Sequence, residues 1–192
     1  KRQGGRRMSE VSNSDESFVQ MVLNPSKAMS NWFVGLGSLG IFLAVLNLLG
    51  EIHPNYRVSW SGVLTFEITN RAFEDLSTAP AFVISDAVFI AICGLIAGLG
   101  FKSINNEEGG IGDWLKSIFV NDTWMSLADP DRGGWFKTMG AWCLLLGVIN
   151  YLYFGLTATG WIDPGVYSVT IALLAFGFAL VYAANSPESD EQ

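Results

Sequence analysis

Residues Ala79–Phe101, APAFVISDAVFIAICGLIAGLGF, form an apolar stretch with a single charged side chain, that of Asp86. A helix crosses the hydrocarbon core of a bilayer with ~20 predominantly apolar residues, and this stretch meets that length. A helix on the surface of a soluble protein would show polar residues along one face, and this stretch has no such face. It therefore predicts a membrane-spanning helix.

Three further stretches have the same character and carry no charged residue: residues 32–50, 139–161 and 166–184. The whole chain is 50% hydrophobic and only 15% charged, which is too apolar for a soluble domain and ordinary for a small membrane protein. We therefore predict an all-α integral membrane protein. Its four transmembrane helices form a membrane domain over residues 32–184, with short interfacial helices in the loops.

The two ends of the chain are polar. Residues 1–31 are predicted to form an N-terminal tail, and residues 185–192 an acidic and disordered C-terminal tail. The basic beginning is either the remnant of a processed organelle-targeting peptide or a segment that precedes a start at Met8. Because the number of spans is even, both tails are predicted to lie on one side of the membrane.

Lysine and arginine are distributed unequally over this topology. The side with the two tails and the loop 102–138 carries nine of them, whereas the opposite side, here called the far side, carries only Arg57 and Arg71. Basic loops stay on the cytoplasmic side, so both termini are predicted to face the cytoplasm or, in a plastid, the stroma. The net charge of −7 argues against nucleic acid as a partner, because phosphate binding needs a basic surface.

Two loops carry patterns of their own. In IGDWLKSIFVND, Ile111–Asp122, apolar residues recur at helical spacing, which predicts a short amphipathic helix on the membrane surface. On the far side, SGVLTFEITNRAFEDL, Ser61–Leu76, has a mixed pattern that leaves a short helix and a strand both open.

The ends of the spans carry turn and aromatic residues. Asp163 and Pro164 form a very short turn, so the third and fourth spans are predicted to be antiparallel neighbours. Trp32, Trp142 and Trp161 lie at or near the ends of spans, as aromatic anchors at the lipid headgroups do.

Small residues predict close helix packing in two places. The motif GLGSLG, Gly35–Gly40, matches a dinucleotide-binding pattern by letter, but it lies within an uncharged span and not in a loop after a strand. Glycine in a span lets helix backbones approach closely, and we expect that role here. Gly94 and Gly98 form a GxxxG motif in the second span, for which we expect the same.

The sequence offers little for catalysis or for a protein metal site. His53 is the only histidine, so a di-iron centre or a haem held by two histidines lacks its ligands. Cys93 and Cys143 both lie within predicted spans and form no CxxC pair. We expect no enzymatic activity and no metal bound directly by a cluster of side chains.

Four polar residues in or beside the spans are candidate contacts for a pigment. His53 follows the first span and is either a solvated loop residue or an axial ligand to chlorophyll or haem. Asn47 and Asn150 are weaker candidates of the same kind. Asp86 is the fourth, and its charge makes its position the most unusual.

An ionised carboxylate costs ~2.5–3.5 kcal/mol at the centre of a span, and less near its ends. Thr78 and Pro80 resemble the start of a helix, which would place Asp86 about 10 Å along the axis from that start. Three roles stay open for it: a proton or ion relay, a water-mediated pigment contact, and a buried polar contact to protein.

The segment around Asp86 resembles PsaO, a family of two-span accessory subunits of eukaryotic photosystem I. The similar pieces are FVGLGSLG in the first span, SGVLTFEITNRAFEDLSTAPAF on the far side and GLGFKS at the end of the second span. They cover residues 32–103. The STAPAF turn lacks a glycine of the family's pattern, and this chain has two further spans.

The resemblance implies a thylakoid subunit that contacts chlorophyll, carotenoid and lipid, with both termini in the stroma. We therefore expect a non-catalytic accessory subunit of a photosynthetic membrane complex, photosystem I above all, which stabilises neighbouring subunits or antenna proteins. A membrane-bound assembly factor for such a complex and a small transporter or channel are the alternatives.

Overall fold

The computed structural model describes residues 19–186, so the predicted tails fall largely outside the described residues. After a helical turn over residues 19–23, the elements are α1 (Lys27–Leu49), β1 (Tyr56–Val58), α2 (Trp60–Leu64), β2 (Phe73–Asp75), α3 (Ile84–Asn105), α4 (Gly110–Phe119), α5 (Asp122–Met125), a 3₁₀ turn (Pro130–Arg132), α6 (Gly134–Ala158) and α7 (Pro164–Asn185).

Four of these helices, α1, α3, α6 and α7, are long and apolar enough to cross a membrane. This confirms the predicted class, an all-α integral membrane protein with short helices between the spans. The described chain packs as two compact units: residues 19–44 with Ile84–Trp114, and Val45–Val83 with residues 115–186.

The boundaries of the spans differ from the prediction at most ends. α1 and α6 begin at Lys27 and Gly134, because polar residues in a first turn can lie outside the hydrocarbon and still be helical. α3 and α6 differ in the opposite sense at one end each, since α3 begins only at Ile84 and α6 ends at Ala158. A hydropathy pattern therefore locates the apolar core of a span but not the ends of the helix that contains it.

The start of α3 corrects the expected position of Asp86. The helix begins at Ile84 and not at Thr78 or Pro80, so Asp86 lies in its first turn. The preceding residues form a separate turn, because Asp75 Oδ1 accepts hydrogen bonds from the backbone N–H of Ser77 at 2.8 Å and from its hydroxyl at 2.5 Å. These bonds also hold the pKa of the Asp75 carboxyl below its usual value.

The far-side loop contains both a helix and a strand, the two possibilities that its sequence left open. β1 pairs with β2 in antiparallel register, with Tyr56 opposite Asp75 and Val58 opposite Phe73. Between the strands lies the single turn of α2, whose N-cap Ser59 accepts the N–H of Gly62. The amphipathic helix predicted on the other side of the membrane is α4, which confirms that element.

Glycine brings α1 and α3 into backbone contact. A side-chain carbon at Gly37 would lie 2.7 Å from the carbonyl oxygen of Cys93 and 2.7 Å from the amide nitrogen of Ala97. One at Gly40 would collide with the sulfur of Cys93. The packing role predicted for the GLGSLG motif is therefore confirmed for two of its three glycines, while Gly35 has no such neighbour in the described chain.

The close packing predicted for the GxxxG motif of α3 is not found among residues 19–186. A side-chain carbon at Gly94 or Gly98 would meet no described atom within 4 Å. Gly100 lies against α1 instead, since a side-chain carbon there would be 2.8 Å from the carbonyl oxygen of Ser30 and 2.9 Å from the amide nitrogen of Val34. The face of α3 that packs on α1 is set by the register of the two helices, which the motif does not contain.

α6 and α7 pack along their length as the predicted antiparallel neighbours. A side-chain carbon at Gly140 would lie 2.9 Å from the carbonyl oxygen of Gly177 and 3.0 Å from the amide nitrogen of Val181. One at Gly147, two turns further along, would lie 3.0 Å from Leu174. The contact is of the same kind as that between α1 and α3, since a glycine faces a carbonyl oxygen and the amide four residues later.

Gly37→Leu is expected to destabilise the protein by about 1–3 kcal/mol, because the new side chain would be forced against the backbone of α3. Gly94→Leu is the matched control, since it adds the same side chain to a span where no described atom lies near. Thermal unfolding of the two variants in the same mild detergent measures the difference. Equal midpoints would contradict the packing described here.

Candidate functional site

A carboxamide near the end of α1 holds the first strand of the far-side loop. Asn47 Oδ1 accepts the backbone N–H of Val58 at 2.7 Å, and Asn47 Nδ2 donates to the carbonyl oxygen of Val58 at 2.9 Å. Both residues are buried. One side chain thereby satisfies both backbone polar groups of a buried residue, which would otherwise be costly to remove from water. Asn47 is therefore engaged in holding the loop, which leaves it a poor candidate for a pigment contact.

Arg57 fastens the same loop to the end of the helix. Its Nη1 donates to the carbonyl oxygen of Asn47 at 2.9 Å and to that of Ala81 at 2.9 Å. The last carbonyls of a helix lack partners within the helix, and a cation is favourable at that end of the helix dipole. The far-side loop is thus held to the end of α1 by hydrogen bonds at Arg57 and Val58.

The turn between α6 and α7 is held by an aromatic cluster. Trp161 is only 4% exposed, because its ring lies on Gly155 and edge-on to Tyr151, with 5.5 Å between the ring centroids. The Tyr151 hydroxyl donates to the carbonyl oxygen of Trp161 at 3.2 Å. Trp161 is therefore part of the protein interior, and its predicted role as a lipid-headgroup anchor is wrong. Trp32 and Trp142, by contrast, are exposed.

A cavity of about 410 Å³ lies between this turn and the start of the far-side loop. It brings together two of the four sequence candidates, His53 and Asn150, which are far apart in the chain. Its lining is otherwise mainly apolar and consists of Pro54, Phe154, Ala158, Gly160, Asp163, Gly165, Val166 and Val169. Asn47 and Asp86 do not line it.

His53 enters this cavity with one ring nitrogen already engaged. Its Nδ1 accepts the backbone N–H of Asn55 at 3.1 Å, so the proton of the neutral ring is on Nε2. An imidazole binds a metal through an unprotonated nitrogen. The arrangement therefore does not fit His53 as an axial ligand to chlorophyll magnesium or haem iron, and it presents a hydrogen-bond donor instead.

Asn150 has an unused acceptor. Its Nδ2 donates to Thr170 Oγ1 at 3.0 Å, which joins α6 to α7. Its carbonyl oxygen has no hydrogen-bond partner among residues 19–186. Asp163, at the edge of the cavity, accepts the N–H groups of Gly165 and Val166 as the N-cap of α7. Asn150 thus lines the cavity and has a side-chain acceptor without a donor among the described residues.

Asp86 is 2% exposed and lies in the first turn of α3. The N-terminus of a helix favours a negative charge, so the residue is less anomalous than it would be two turns inside the span. Its burial fits the polar contact to protein that was one of its three predicted roles. In the described part of the chain, no three acidic, histidine or cysteine side chains are grouped so that they could hold a metal ion.

The chain contains two helical hairpins, α1 with α3 and α6 with α7. Their first helices, α1 and α6, share a sequence repeat that is not visible when each span is considered separately. In equal register, α1 and α6 have identical residues at seven pairs of positions: Trp32 and Trp135, Phe33 and Phe136, Gly37 and Gly140, Leu43 and Leu146, Val45 and Val148, Asn47 and Asn150, and Leu49 and Leu152. Gly37 and Gly140 make equivalent contacts in their own hairpins. The motif WFxxxG followed by VxN was the signal that would have linked the two asparagines.

Comparison with known proteins adds no relative. The chain matches no protein-family model, no curated protein and no solved structure.

Asn47→Leu is expected to destabilise the far-side loop by about 2–4 kcal/mol, since the buried N–H and C=O of Val58 each lose a partner. Hydrogen exchange at the Val58 amide should rise by two orders of magnitude or more. Asn70→Ala, which removes only an exposed side chain from the same loop, is the control. If both variants exchange like the parent, Asn47 does not hold the strand.

Proposed function

We propose that this protein is a non-catalytic accessory subunit of a photosynthetic membrane complex, photosystem I in particular. In this role it stabilises neighbouring subunits or antenna proteins and contacts their chlorophylls and carotenoids. The coarse part of this statement, an integral membrane protein with four candidate spans, follows from the fold. The thylakoid location and the stromal termini belong to the proposal.

The observation that carries the proposal is the position of the outward-facing aromatic rings. Phe176 and Phe178 are both 55% exposed and lie well inside α7 rather than at its ends. Trp142 is 47% exposed and lies about one turn inside the apolar core of α6. Rings exposed deep within a span are suited to pack against other rings, whether of pigments or of partner helices.

The polar side chains of the spans favour a subunit over a transporter. Ser30 donates to the backbone carbonyl of Ser26, Thr138 to that of Ser126, and Asn150 to Thr170. These groups are used for local hydrogen bonds and do not form a chain of unengaged polar groups along a span. A transport path needs such groups aligned across the membrane, so this arrangement supports a structural role.

The resemblance to PsaO over residues 32–103 directs the proposal to photosystem I. The far-side loop lies within that segment. Its hydrogen bonds through Asn47 and Arg57 order it before any partner binds, and such preorganisation favours docking on a larger assembly.

The test is purification of the tagged full-length protein from its native membrane in mild detergent. A subunit is expected to co-elute with chlorophyll-containing partners in constant stoichiometry, as seen in the absorption spectrum and in mass spectrometry of the eluted chains. A colourless protein without partners would overturn the proposal. Substoichiometric, transient partners would identify an assembly factor instead. Ion flux in proteoliposomes that is lost in Asp86→Asn would identify a transporter.

Replacement of two exposed aromatic rings in the spans is expected to weaken this association. The double variant Trp142→Leu and Phe178→Leu keeps the spans apolar but removes two exposed rings, so retention of partners and pigment should fall several-fold. The control carries Val148→Leu and Ile171→Leu, two exposed aliphatic exchanges in the same helices. An equal yield of partners with both proteins would show that the rings face lipid.

A further inference from the structure

We propose that the cavity between the α6–α7 turn and the far-side loop binds the end of a long apolar molecule that terminates in a hydroxyl group. This inference stands independently of the proposed membrane complex. It rests on the internal repeat, on the hydrogen bonds of the two equivalent asparagines and on the lining of the cavity.

The two hairpins use the same asparagine in different ways. In the first hairpin, the loop over residues 50–83 returns to the helix end, and Asn47 binds the N–H and C=O of Val58. In the second hairpin, the connection between Ala158 and Pro164 is too short to return in this way. The cavity lies at Asn150, where the first hairpin has the peptide unit of β1.

The free acceptor of Asn150 indicates which group a ligand of this cavity should supply. Asn47 Oδ1 accepts an N–H from Val58, whereas Asn150 Oδ1 has no donor among the described residues. The group that fills the cavity should therefore donate a hydrogen bond to Asn150. Asn150 is half-buried, and a ligand that donates a hydrogen bond to its free acceptor within a mainly apolar cavity gains affinity.

His53 presents a hydrogen-bond donor, so the ligand should also carry an acceptor. Because its Nδ1 accepts the N–H of Asn55, its Nε2 carries a proton and needs an acceptor. A hydroxyl group is both a donor and an acceptor, so a ligand with a hydroxyl end offers the type of group that each of the two residues needs. A ketone or an ether could pair only with His53, and a hydrocarbon could pair with neither.

The rest of the cavity fits an apolar body. Its volume of about 410 Å³ is within the ~300–1,000 Å³ of small-molecule sites, but it is large enough only for the end of a long molecule. Phe154 and Val169, which line it, are 41% and 50% exposed, so an apolar chain can leave the cavity along the face of the span. Hydroxylated carotenoids and long-chain alcohols share this chemistry.

The test measures binding of paired probes to the full-length protein in lipid nanodiscs. A carotenoid with a hydroxyl on its end ring and the corresponding hydrocarbon are followed by absorption and induced circular dichroism. The hydroxylated probe is expected to saturate one site per chain and to bind at least tenfold more tightly than the hydrocarbon. Competition by a long-chain alcohol then distinguishes the two kinds of ligand. If the alcohol displaces the carotenoid, the hydroxyl end alone is recognised. If it does not, the carotenoid ring is required.

Three variants and one control locate the site. Ala158→Phe fills the cavity from an exposed lining position and should abolish binding, while Leu156→Phe, on the same helix but outside the lining, should bind as the parent does. Asn150→Leu should bind both probes equally and weakly, as should His53→Phe. Circular dichroism of the helices verifies folding of each variant.

Two results would overturn the proposal: equal affinity of the parent protein for hydroxylated and hydrocarbon probes, or unchanged binding in Ala158→Phe. Absence of any saturable binding, with the long-chain alcohol included, would show that the cavity holds only water.

Discussion

The contact between helix backbones at Gly37 and Gly140 is the constraint on which the two hairpins depend. In a bilayer, lipid tails are as apolar as the side chains, so burial of apolar surface does little to bring spans together. Close approach at glycine replaces that driving force with dispersion contacts and short polar contacts between backbones. The position of each glycine therefore decides the register of its hairpin, and the register decides which polar residues meet at the far side.

At the far side, each hairpin must satisfy the same asparagine near the end of its first helix. The first does so with its own loop, at the cost of ordering some thirty residues between α1 and α3. The second has only a short turn, and its asparagine is left with one bond, to Thr170. The long connection thus fills the position beside Asn47, whereas the short connection leaves a cavity beside Asn150.

Part of the candidate site could be predicted from single residues. His53 and Asn150 were selected because polar groups at the edge of a span are unusual, and the structure places both in one cavity. Their chemistry could not be predicted, because the free ring nitrogen of His53 depends on a bond to Asn55 that only the loop geometry creates. The hydrogen bonds of Asn47 to Val58 could not be predicted for the same reason, because they depend on where β1 places Val58.

The sequence by itself determined the class of protein, the number of spans, the amphipathic helix α4 and the antiparallel pair α6 and α7. These follow from composition, periodicity and connection length, which are local properties of the chain. Only the tertiary structure decided which glycines pack, where α3 begins relative to Asp86, and that Trp161 is buried. Each of these depends on the rotation and register of one helix against another, and residues distant in the sequence determine them through backbone contacts that no local pattern records.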